Sequence, residues 1–316
     1  MIAAFSEVEL DSRNPVVLKD ILRPELPRIA TTALLCLPPP HLGHGPFPGL
    51  VVCHGLGGVI KNRELRYAAW LAGQGIAVLV VDCYAARGMS NRLDNLRALC
   101  VTESMYLADA FAGLDFLARH ERVMADRIGV MGFSYGGMVS VLTAYKQIQE
   151  AFARADQRFA GHIAFYGPSA PRFDRVETTG APLLIVNGVL DRNLSLKRTE
   201  EIAADLRSGG SEVEVHALEG AYHQWDGEDE VRKYKSPALK HMKVRITRDY
   251  RVRCERWGLE MNGYVSRAAV IATNSDPFGY NTIRNDETRR FTDTLIANFV
   301  EANLKQPAQR LSSAAS

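Results

Sequence analysis

Residues 127–138 read RIGVMGFSYGGM, which is a short apolar run, a Gly-x-Ser-x-Gly turn and the start of a helical pattern. A serine in a tight turn between a buried strand and a helix projects its hydroxyl from the edge of a sheet. The two backbones pass close together there, so Gly132 and Gly136 must be small. The N-terminus of the helix favours developing negative charge. The stretch predicts an α/β fold with Ser134 as a nucleophile; the alternative is a glycine-rich turn with an incidental serine.

Short runs rich in Val, Ile and Leu alternate with helical patterns around this stretch. Such runs, bounded by Gly or Pro, are typical of strands that are buried on both faces of a parallel sheet. The predicted core strands are 49–53, 76–82, 127–131, 161–166 and 182–187. The predicted helices between them are 63–74, 103–120, 136–147 and 196–208. The alternation predicts a doubly wound, mostly parallel sheet with helices on both faces.

The segments on either side of this core extend the same fold. Two extended segments near the start predict an antiparallel pair at the sheet edge, and one further strand and a closing amphipathic helix follow the core. These elements are predicted at 5–10, 30–38, 212–218 and 286–304. We therefore expect a single domain over residues 1–305 and a disordered, small and polar tail over 306–316.

Composition restricts the function classes. The chain has 316 residues, of which 47% are hydrophobic, and a formal net charge of +2. A large core is possible, but the net charge is too small to hold nucleic acid or an anionic membrane against physiological salt. The first residues lack the basic start and apolar core of a signal peptide, and no run of eighteen apolar residues occurs. We expect a cytoplasmic protein that binds a small molecule, with no nucleic-acid or membrane partner.

The five cysteines form no CxxC or Cys/His pattern that would indicate zinc. We interpret them as reduced, buried apolar side chains and expect no metal ion and no cofactor. They are Cys36, Cys53, Cys83, Cys100 and Cys254.

A serine nucleophile needs a general base and an acid that orients the base. In folds of this kind these residues follow the serine in the order Asp or Glu, then His. Asp191 comes just after the predicted strand 182–187, at the sheet edge where catalytic groups gather. His223 follows strand 212–218 in a glycine-containing loop, and the other seven histidines lie in the wrong order or place. The alternatives are Asp191 as a helix cap or turn residue and His223 as a surface histidine.

An acyl-transfer site also needs backbone N–H groups that stabilise an oxyanion. One should come from Tyr135, the residue after the nucleophile. The other should come from the glycine-rich loop that follows strand 49–53, and Leu56 is the predicted donor there.

With these residues in place, the chain resembles the dienelactone hydrolase family of α/β-hydrolases. The similarity covers roughly residues 25–226 and the closing helix, in five segments. They are VVCHGLGG (51–58), VDCYAAR (81–87), GFSYGG (132–137), LIVNGVLD (184–191) and GAYH (220–223). The resemblance implies an α/β-hydrolase fold and the hydrolysis of esters or lactones. Several esterase and peptidase branches of the α/β-hydrolases share this spacing.

Two departures from the family pattern matter: the nucleophile with its oxyanion loop, and a stretch after His223 that is longer than the compact family pattern requires. Founding members use a cysteine nucleophile with a glutamate in the oxyanion loop, whereas this chain has Ser134 and, at the corresponding place, Gly55. A serine needs no such thiol switch, so the resemblance implies ordinary esterase chemistry rather than activity on dienelactone itself. Tyr84 and Arg87 resemble the family's tyrosine and arginine segment with an offset of one residue, which implies a substrate-binding role; the alternative is a surface arginine.

The leading hypothesis is a serine esterase or lactonase in which Ser134 attacks, His223 transfers the proton and Asp191 orients the imidazole. A peptidase or amidase with the same three residues is the alternative within enzymes. A non-catalytic ligand-binding protein on the same fold is the alternative from another class.

An insertion at about 227–282 interrupts the alternation. Apolar residues at alternate positions from Met242 to Cys254 predict a strand or hairpin. Its basic residues are Lys233, Lys235, Lys240, Lys243, Arg245, Arg248, Arg251, Arg253 and Arg256. Because it directly follows His223, we expect it to cover or border the active-site mouth, or to form a homodimer contact, and in either case to favour acidic esters. The alternative is a solvated basic appendage.

Overall fold

An eight-stranded sheet, parallel except at one edge, forms the centre of the protein. The computed structural model describes residues 4–154, 157–228, 230–234 and 237–306. The described strands are β1 (Ser6–Arg13), β2 (Arg28–Cys36), β3 (Phe47–Cys53), β4 (Ala77–Asp82), β5 (Val123–Phe133), β6 (His162–Phe165), β7 (Pro171–Phe173), β8 (Leu183–Gly188), β9 (Val213–Leu218), β10 (Arg232–Tyr234), β11 (Val244–Ile246), β12 (Val252–Cys254) and β13 (Tyr280–Thr282). The order in the main sheet is β1-β2-β4-β3-β5-β6-β8-β9.

The predicted antiparallel pair at the sheet edge is confirmed. Strand β1 pairs with β2 from Ser6 opposite Leu35 to Arg13 opposite Arg28, and β2 runs antiparallel to β4. The remaining neighbours in the main sheet are parallel, so their carboxyl ends meet at one edge. The segments that follow β3, β5, β8 and β9 therefore lie near one another.

The helices cover both faces of the sheet, as predicted. They are α1 (Arg66–Ala72), α2 (Asp94–Cys100), α3 (Glu103–Ala118), α4 (Tyr135–Leu142), α5 (Lys146–Phe152), α6 (Leu196–Ser208), α7 (Tyr264–Asn274) and α8 (Asp286–Val300). Consecutive residues of β3 alternate between the two cores: Val51 packs with the core around α3 and Val52 with the core around α1 and α8. This alternation explains why the core strands are apolar at almost every position.

The predicted helix 136–147 is wrong as a single element, because it is divided into α4 and α5. The segment between them is held by the neighbouring chain: Lys146 N–H donates to Glu177 O at 2.9 Å, and Thr179 N–H donates to Ala144 O at 2.9 Å. The buried ring of Tyr145 stacks on Phe173 with 3.8 Å between centroids. These tertiary contacts outweigh the local helical pattern.

The insertion forms the hairpin predicted from its alternating pattern. Strands β11 and β12 are antiparallel, and Met242, Val244 and Ile246 are buried. Strand β11 also runs parallel to β7, so the hairpin is joined to the core of the molecule. The insertion also contains α7, which the sequence did not predict and which packs against α2. Strands β10 and β13, near its two ends, pair with each other.

Two further expectations concern the tail at 306–316 and membrane-spanning segments. Positions 307–316 of the predicted tail lie outside the described residues. Within the described part of the chain, no helix is long and apolar enough to cross a membrane.

Candidate active site

Ser134 lies in the turn between β5 and α4, at the carboxyl edge of the sheet. Its φ of 52° and ψ of −113° form a combination that residues with a side chain rarely adopt. A Cβ atom on Gly132 would lie 2.0 Å from Gly136 O, and one on Gly136 would lie 2.2 Å from Cys53 O. The close approach expected at these two glycines is therefore confirmed. Any larger residue at either position would force the turn apart.

Ser134, His223 and Asp191 are connected by hydrogen bonds and are all buried. His223 Nε2 lies 2.9 Å from Ser134 Oγ, and His223 Nδ1 lies 2.6 Å from Asp191 Oδ2. This pattern fits a neutral imidazole whose Nδ1–H donates to the carboxylate and whose Nε2 accepts from the serine hydroxyl. The arrangement can activate Ser134 as a nucleophile and keep the imidazole in the tautomer that accepts its proton.

The loops that carry Asp191 and His223 pack directly on each other. A Cβ atom on Gly188 would lie 2.3 Å from Ala221 O, so glycine at the end of β8 lets the loop of His223 approach. Asp191 Oδ1 accepts the N–H of Asn193 at 2.7 Å, which is the turn contact considered for this aspartate. The carboxylate thus makes the turn contact and also binds the histidine.

The insertion contacts the loop that follows Asp191 and the ring of His223. Asn193 Oδ1 accepts the N–H of Leu239, in the insertion, at 3.0 Å. The rings of Tyr280, in β13, and Tyr166 each lie 4.8 Å from the His223 ring. Ile283 N–H donates to His223 O at 3.3 Å. The insertion therefore leaves the core just after His223 and returns beside it.

The two predicted oxyanion donors belong to segments that adjoin Ser134. Tyr135 is the first residue of α4, so its N–H has no partner within the helix. Leu56 lies inside a turn closed by the hydrogen bond from Gly58 N–H to Gly55 O at 3.1 Å. Leu56, Tyr135 and Ser134 line one cavity. Their role as oxyanion donors stays a prediction.

Arg97, in α2, holds the turn that carries Leu56, a contact that no sequence pattern predicted. Its guanidinium donates to Gly57 O at 3.0 Å, to Leu56 O at 3.4 Å and to Met89 O at 3.0 Å, and it also donates to Ser90 O. The side chain is almost fully buried. Arg97 also binds Asp94 Oδ1 at 3.2 Å within its own helix, but its acceptors in the turn of Leu56 are backbone carbonyls, so no complementary side chain there marks the contact in the sequence.

The structure does not bring Arg87 and Tyr84 to this cavity. The Arg87 guanidinium binds both carboxylate oxygens of Asp109, at 2.6 and 3.1 Å, and donates to Asn14 Oδ1 and Cys83 O at 2.8 Å each. The Tyr84 ring is buried 4.6 Å from the His54 ring. Neither residue lines the cavity of Ser134. Their positions argue for structural roles, because the donors of Arg87 already have acceptors within the protein.

A buried polar cluster behind the site was also missed. Arg63 and Glu64 form an ion pair at 2.6 Å with no exposed side-chain surface, and Glu64 accepts Ile60 N–H at 2.9 Å. Tyr166, whose ring contacts His223, donates to Asp226 Oδ1 at 2.6 Å. Burial raises the pKa of Asp226, although the charge of Arg63 opposes this shift. A Cβ atom on Gly55, in the predicted oxyanion loop, would lie 3.3 Å from Arg63 Nη2, so the cluster packs against this loop as well as against His223.

The cavity beside Ser134 has a volume of about 390 Å³, which falls within the usual range for small-molecule sites. Its walls come from the segment 16–18, from α2, α3 and α4, and from the insertion between Pro237 and Tyr280. The insertion therefore borders the same cavity as Ser134. No group of three His, Cys, Asp or Glu side chains that could hold a metal ion occurs in the described ranges.

Comparison with known proteins gives one family and a consistent fold. The profile of the dienelactone hydrolase family matches residues 32–248, more than half of the chain. The chain is 18% identical to a dienelactone hydrolase-like promiscuous phosphotriesterase from metagenomic libraries, with a TM-score of 0.51 over 70% of this chain and 84% of that one. The chain is 15% identical to an acylaminoacyl peptidase from Pyrococcus horikoshii, with a TM-score of 0.55 over 99% of this chain and 43% of that one. Identities this low show the fold alone, which is the expected α/β-hydrolase fold.

Two curated relatives are more similar in sequence over shorter stretches. The peroxisomal succinyl-coenzyme A thioesterase of Mus musculus is 34% identical over 113 residues, which is 35% of this chain and 23% of that protein. A probable 2-oxo-3-(5-oxofuran-2-ylidene)propanoate lactonase from a Bradyrhizobium species is 25% identical over 57% of this chain and 73% of its own length. This chain thus spans less than a quarter of the thioesterase and nearly three quarters of the lactonase.

Proposed function

Because the chain belongs to the dienelactone hydrolase family, we propose that it is a serine hydrolase that cleaves carboxylic esters or lactones of small molecules. The observation that carries this proposal is the hydrogen-bonded series Ser134, His223 and Asp191 at the wall of a ligand-sized cavity. The thioesterase and lactonase relatives act, by their names, on acyl compounds, and this supports the same reaction class.

The geometry fits a two-step reaction through an acyl-enzyme. Ser134 Oγ attacks the carbonyl carbon while its proton passes to His223 Nε2, and the N–H groups of Leu56 and Tyr135 stabilise the oxyanion. His223 then gives the proton to the leaving oxygen as the bond to the alcohol breaks. In the second step His223 takes a proton from water, the hydroxide attacks the acyl-enzyme, and the proton returns to Ser134 as the acid leaves. Asp191 holds the imidazole and stabilises its protonated form throughout.

Ester cleavage is the proposed activity. Amide cleavage and ligand binding without catalysis are the two alternatives that the experiments below distinguish from it.

We also propose a cytoplasmic location, supported by five cysteines that are all unpaired in the structure. Thiol titration of protein from its native cells, under conditions that prevent reduction, would contradict this location if it detected disulfides. A homodimer stays a prediction that size-exclusion chromatography with light scattering tests.

The test measures covalent labelling and turnover in matched variants. Native protein should react with a fluorophosphonate and hydrolyse p-nitrophenyl esters, thioesters or lactones faster than the corresponding amides. Ser134→Ala should lose labelling and lower kcat by at least on the order of 10⁴-fold. The control Ser208→Ala removes an exposed serine at the end of α6 and should change neither measurement.

The three residues should also behave as one unit. Once His223→Ala has removed the base, adding Asp191→Asn should slow the reaction scarcely further. Losses that multiply, or labelling that survives Ser134→Ala, would contradict the assignment. Amides cleaved faster than esters would indicate a peptidase, and no labelling of folded native protein would indicate a ligand-binding protein.

A further inference from the structure

The cavity beside Ser134 is lined almost entirely by apolar side chains. Leu142 and Met138 contribute from α4, and Met242, Met261 and Ile271 contribute from the insertion. These residues come from segments far apart in the chain, so the cavity exists only when the insertion is docked on the core. Apolar walls favour an occupant that removes apolar surface from water.

None of the described basic residues of the hairpin lines this cavity, and within the described insertion the one basic side chain at its wall is Arg267 of α7. In the hairpin the buried side chains of Val244 and Ile246 line the cavity, while the intervening Arg245 points away and lies 3.7 Å from Glu255 and 3.8 Å from Asp174. Arg251 is bound to Asp249 at 2.7 Å, outside the cavity. The alternation of a strand thus separates an apolar inner face from a charged outer face. The preference for acidic esters expected from the basic composition has no support in this arrangement.

Among the described residues that line the cavity, only Glu103 and Arg267 are charged, and they are bound to each other. Arg267 also donates to Ala98 O at 2.9 and 3.2 Å and lies 3.4 Å from the hydroxyl of Tyr135. A substrate carboxylate could bind Arg267 only by displacing Glu103. An anionic group that found no such partner would be buried without compensation, which is costly.

We propose that the site is selective for uncharged esters that carry a long or bulky hydrophobic group, and that the insertion sets this selectivity through Met242, Met261 and Ile271. The inference rests on the proposed function, since it names the substrate class of the same site. The hydrophobic group can belong to the acyl part or to the alcohol part. Either part would place the ester carbonyl at Ser134 and the chain against the insertion.

The first experiment measures kcat/KM over two homologous series. One series lengthens the acyl chain of p-nitrophenyl esters from acetate to decanoate, and the other lengthens the alcohol of n-alkyl acetates. In the arm whose chain enters the cavity, kcat/KM should rise about fourfold for each buried methylene until the cavity is filled. The arm that responds identifies the part of the ester that the cavity holds. Equal rates throughout both series would overturn the proposal.

A comparison between a neutral and a charged ester tests whether the site prefers uncharged substrates. p-Nitrophenyl hexanoate should be cleaved at least about a hundredfold faster than the monoester of adipic acid, which has the same chain length and a terminal carboxylate. Faster cleavage of the carboxylate would show that Arg267 binds anionic substrates and would overturn the inference.

Two variants of α7 test whether the insertion sets the preferred chain length of the ester. Ile271→Phe adds bulk to the cavity wall and should shift the optimum to shorter chains. Val265→Phe adds the same ring at a position of α7 that is 86% exposed, and it should leave the optimum unchanged. An optimum that is the same in both variants would remove the insertion from the proposal.

Binding to Ser134→Ala separates this inference from the proposed function. Calorimetry with n-octyl acetate, n-butyl acetate and n-octyl hydrogen succinate requires no turnover. One outcome is that n-octyl acetate binds more tightly than the other two esters while native protein hydrolyses no ester. This outcome would reject the proposed function and retain the binding preference. Hydrolysis of all esters at similar rates, with weak binding of the octyl ester, would retain the function and reject the preference.

Discussion

Arg97 contributes no atom to the proposed chemistry, yet it fixes the turn that carries Leu56. Its contacts with Leu56 O and Gly57 O hold the two peptide groups that follow Leu56 in the turn, and the Leu56 N–H belongs to the peptide directly before them. We expect Arg97→Ala to lower kcat on the order of tenfold with little change in KM, which is less than the loss of an oxyanion donor outright. Steady-state kinetics on the best neutral ester provide the measurement.

A nearby arginine supplies the control for this prediction. Arg92 is exposed and precedes α2, so Arg92→Ala removes a similar charge without touching the oxyanion loop. It should retain native kcat. Equal losses in the two variants would indicate a general effect of charge, and an unchanged kcat in Arg97→Ala would show that the turn keeps its orientation without the guanidinium.

Sequence reasoning predicts those side chains whose proposed role is tied to a position in the chain. Its glycines predict Ser134, and the preceding strands predict Asp191 and His223; the structure joins the three by hydrogen bonds. Arg97 could not be found in this way, because only folding brings the carbonyls of the Leu56 turn to it, and nothing in the adjacent residues Arg63 and Glu64 shows that both are buried. Folding brings Arg87 to Asp109 on α3 and not to the cavity of Ser134, and nothing in the local sequence reveals that contact.

At the scale of elements, Arg267 ties α7 to the core. It binds Glu103 in α3 and Ala98 O in α2 from a buried position. Burial alone would lower the pKa of Arg267, but the charge of Glu103 raises it overall, so the guanidinium stays charged. We expect Arg267→Met to destabilise the protein by about 3 kcal/mol, because it leaves the Glu103 carboxylate without its partner. Urea unfolding measures this change.

The double variant Arg267→Met, Glu103→Gln tests the cause of that loss. Removing both charges should recover much of the stability, since two neutral side chains can share the site without an unpaired charge. Recovery of stability together with a native preference for hydrophobic esters would identify the pair as a tie rather than a substrate contact. A double variant less stable than Arg267→Met alone would contradict this account.

Strong, repeated patterns allowed most elements to be predicted, and weak ones did not. The core strands β3 to β6 and β8 were evident as apolar runs, and the hairpin of β11 and β12 from its period of two. Strand β7 has only three residues and pairs with the insertion, so no local pattern marks it. Helix α2 has only seven residues, and α7 lies in the insertion beyond the predicted hairpin, where no element was predicted; the two helices pack on each other.

For the whole molecule, buried histidines make stability depend on pH. Burial lowers the pKa of His162 to about 3, and Thr143 Oγ lies 3.0 Å from its Nδ1. An unfolded histidine titrates near pH 6.5, so between about pH 6.5 and pH 3 the unfolded chain binds more protons. The contribution of neutral His162 is therefore present above pH 6.5 and is lost as the pH falls, by up to about 1.4 kcal/mol for each pH unit.

The variant His162→Asn tests this dependence through a slope. It should be less stable than native protein at neutral pH, but its free energy of unfolding should fall less steeply between about pH 6.5 and pH 5. His54 is also buried with a lowered pKa, so part of the native slope should remain. The exposed His41, replaced in His41→Asn, should leave the slope unchanged. Parallel curves for native protein and His162→Asn would contradict the assignment.

The pairing of β10 with β13 has a consequence for how such proteins diversify. Arg232 lies opposite Thr282, so the chain enters and leaves the insertion through two adjacent, hydrogen-bonded strands. A segment whose ends are neighbours can be lengthened, shortened or replaced without moving the strands that carry Ser134 and Asp191. The insertion can therefore be exchanged between related proteins during evolution. In a chimera that joins this core to the corresponding segment of another hydrolase, we expect the new segment to set the range of substrates while the core keeps Ser134, His223 and Asp191.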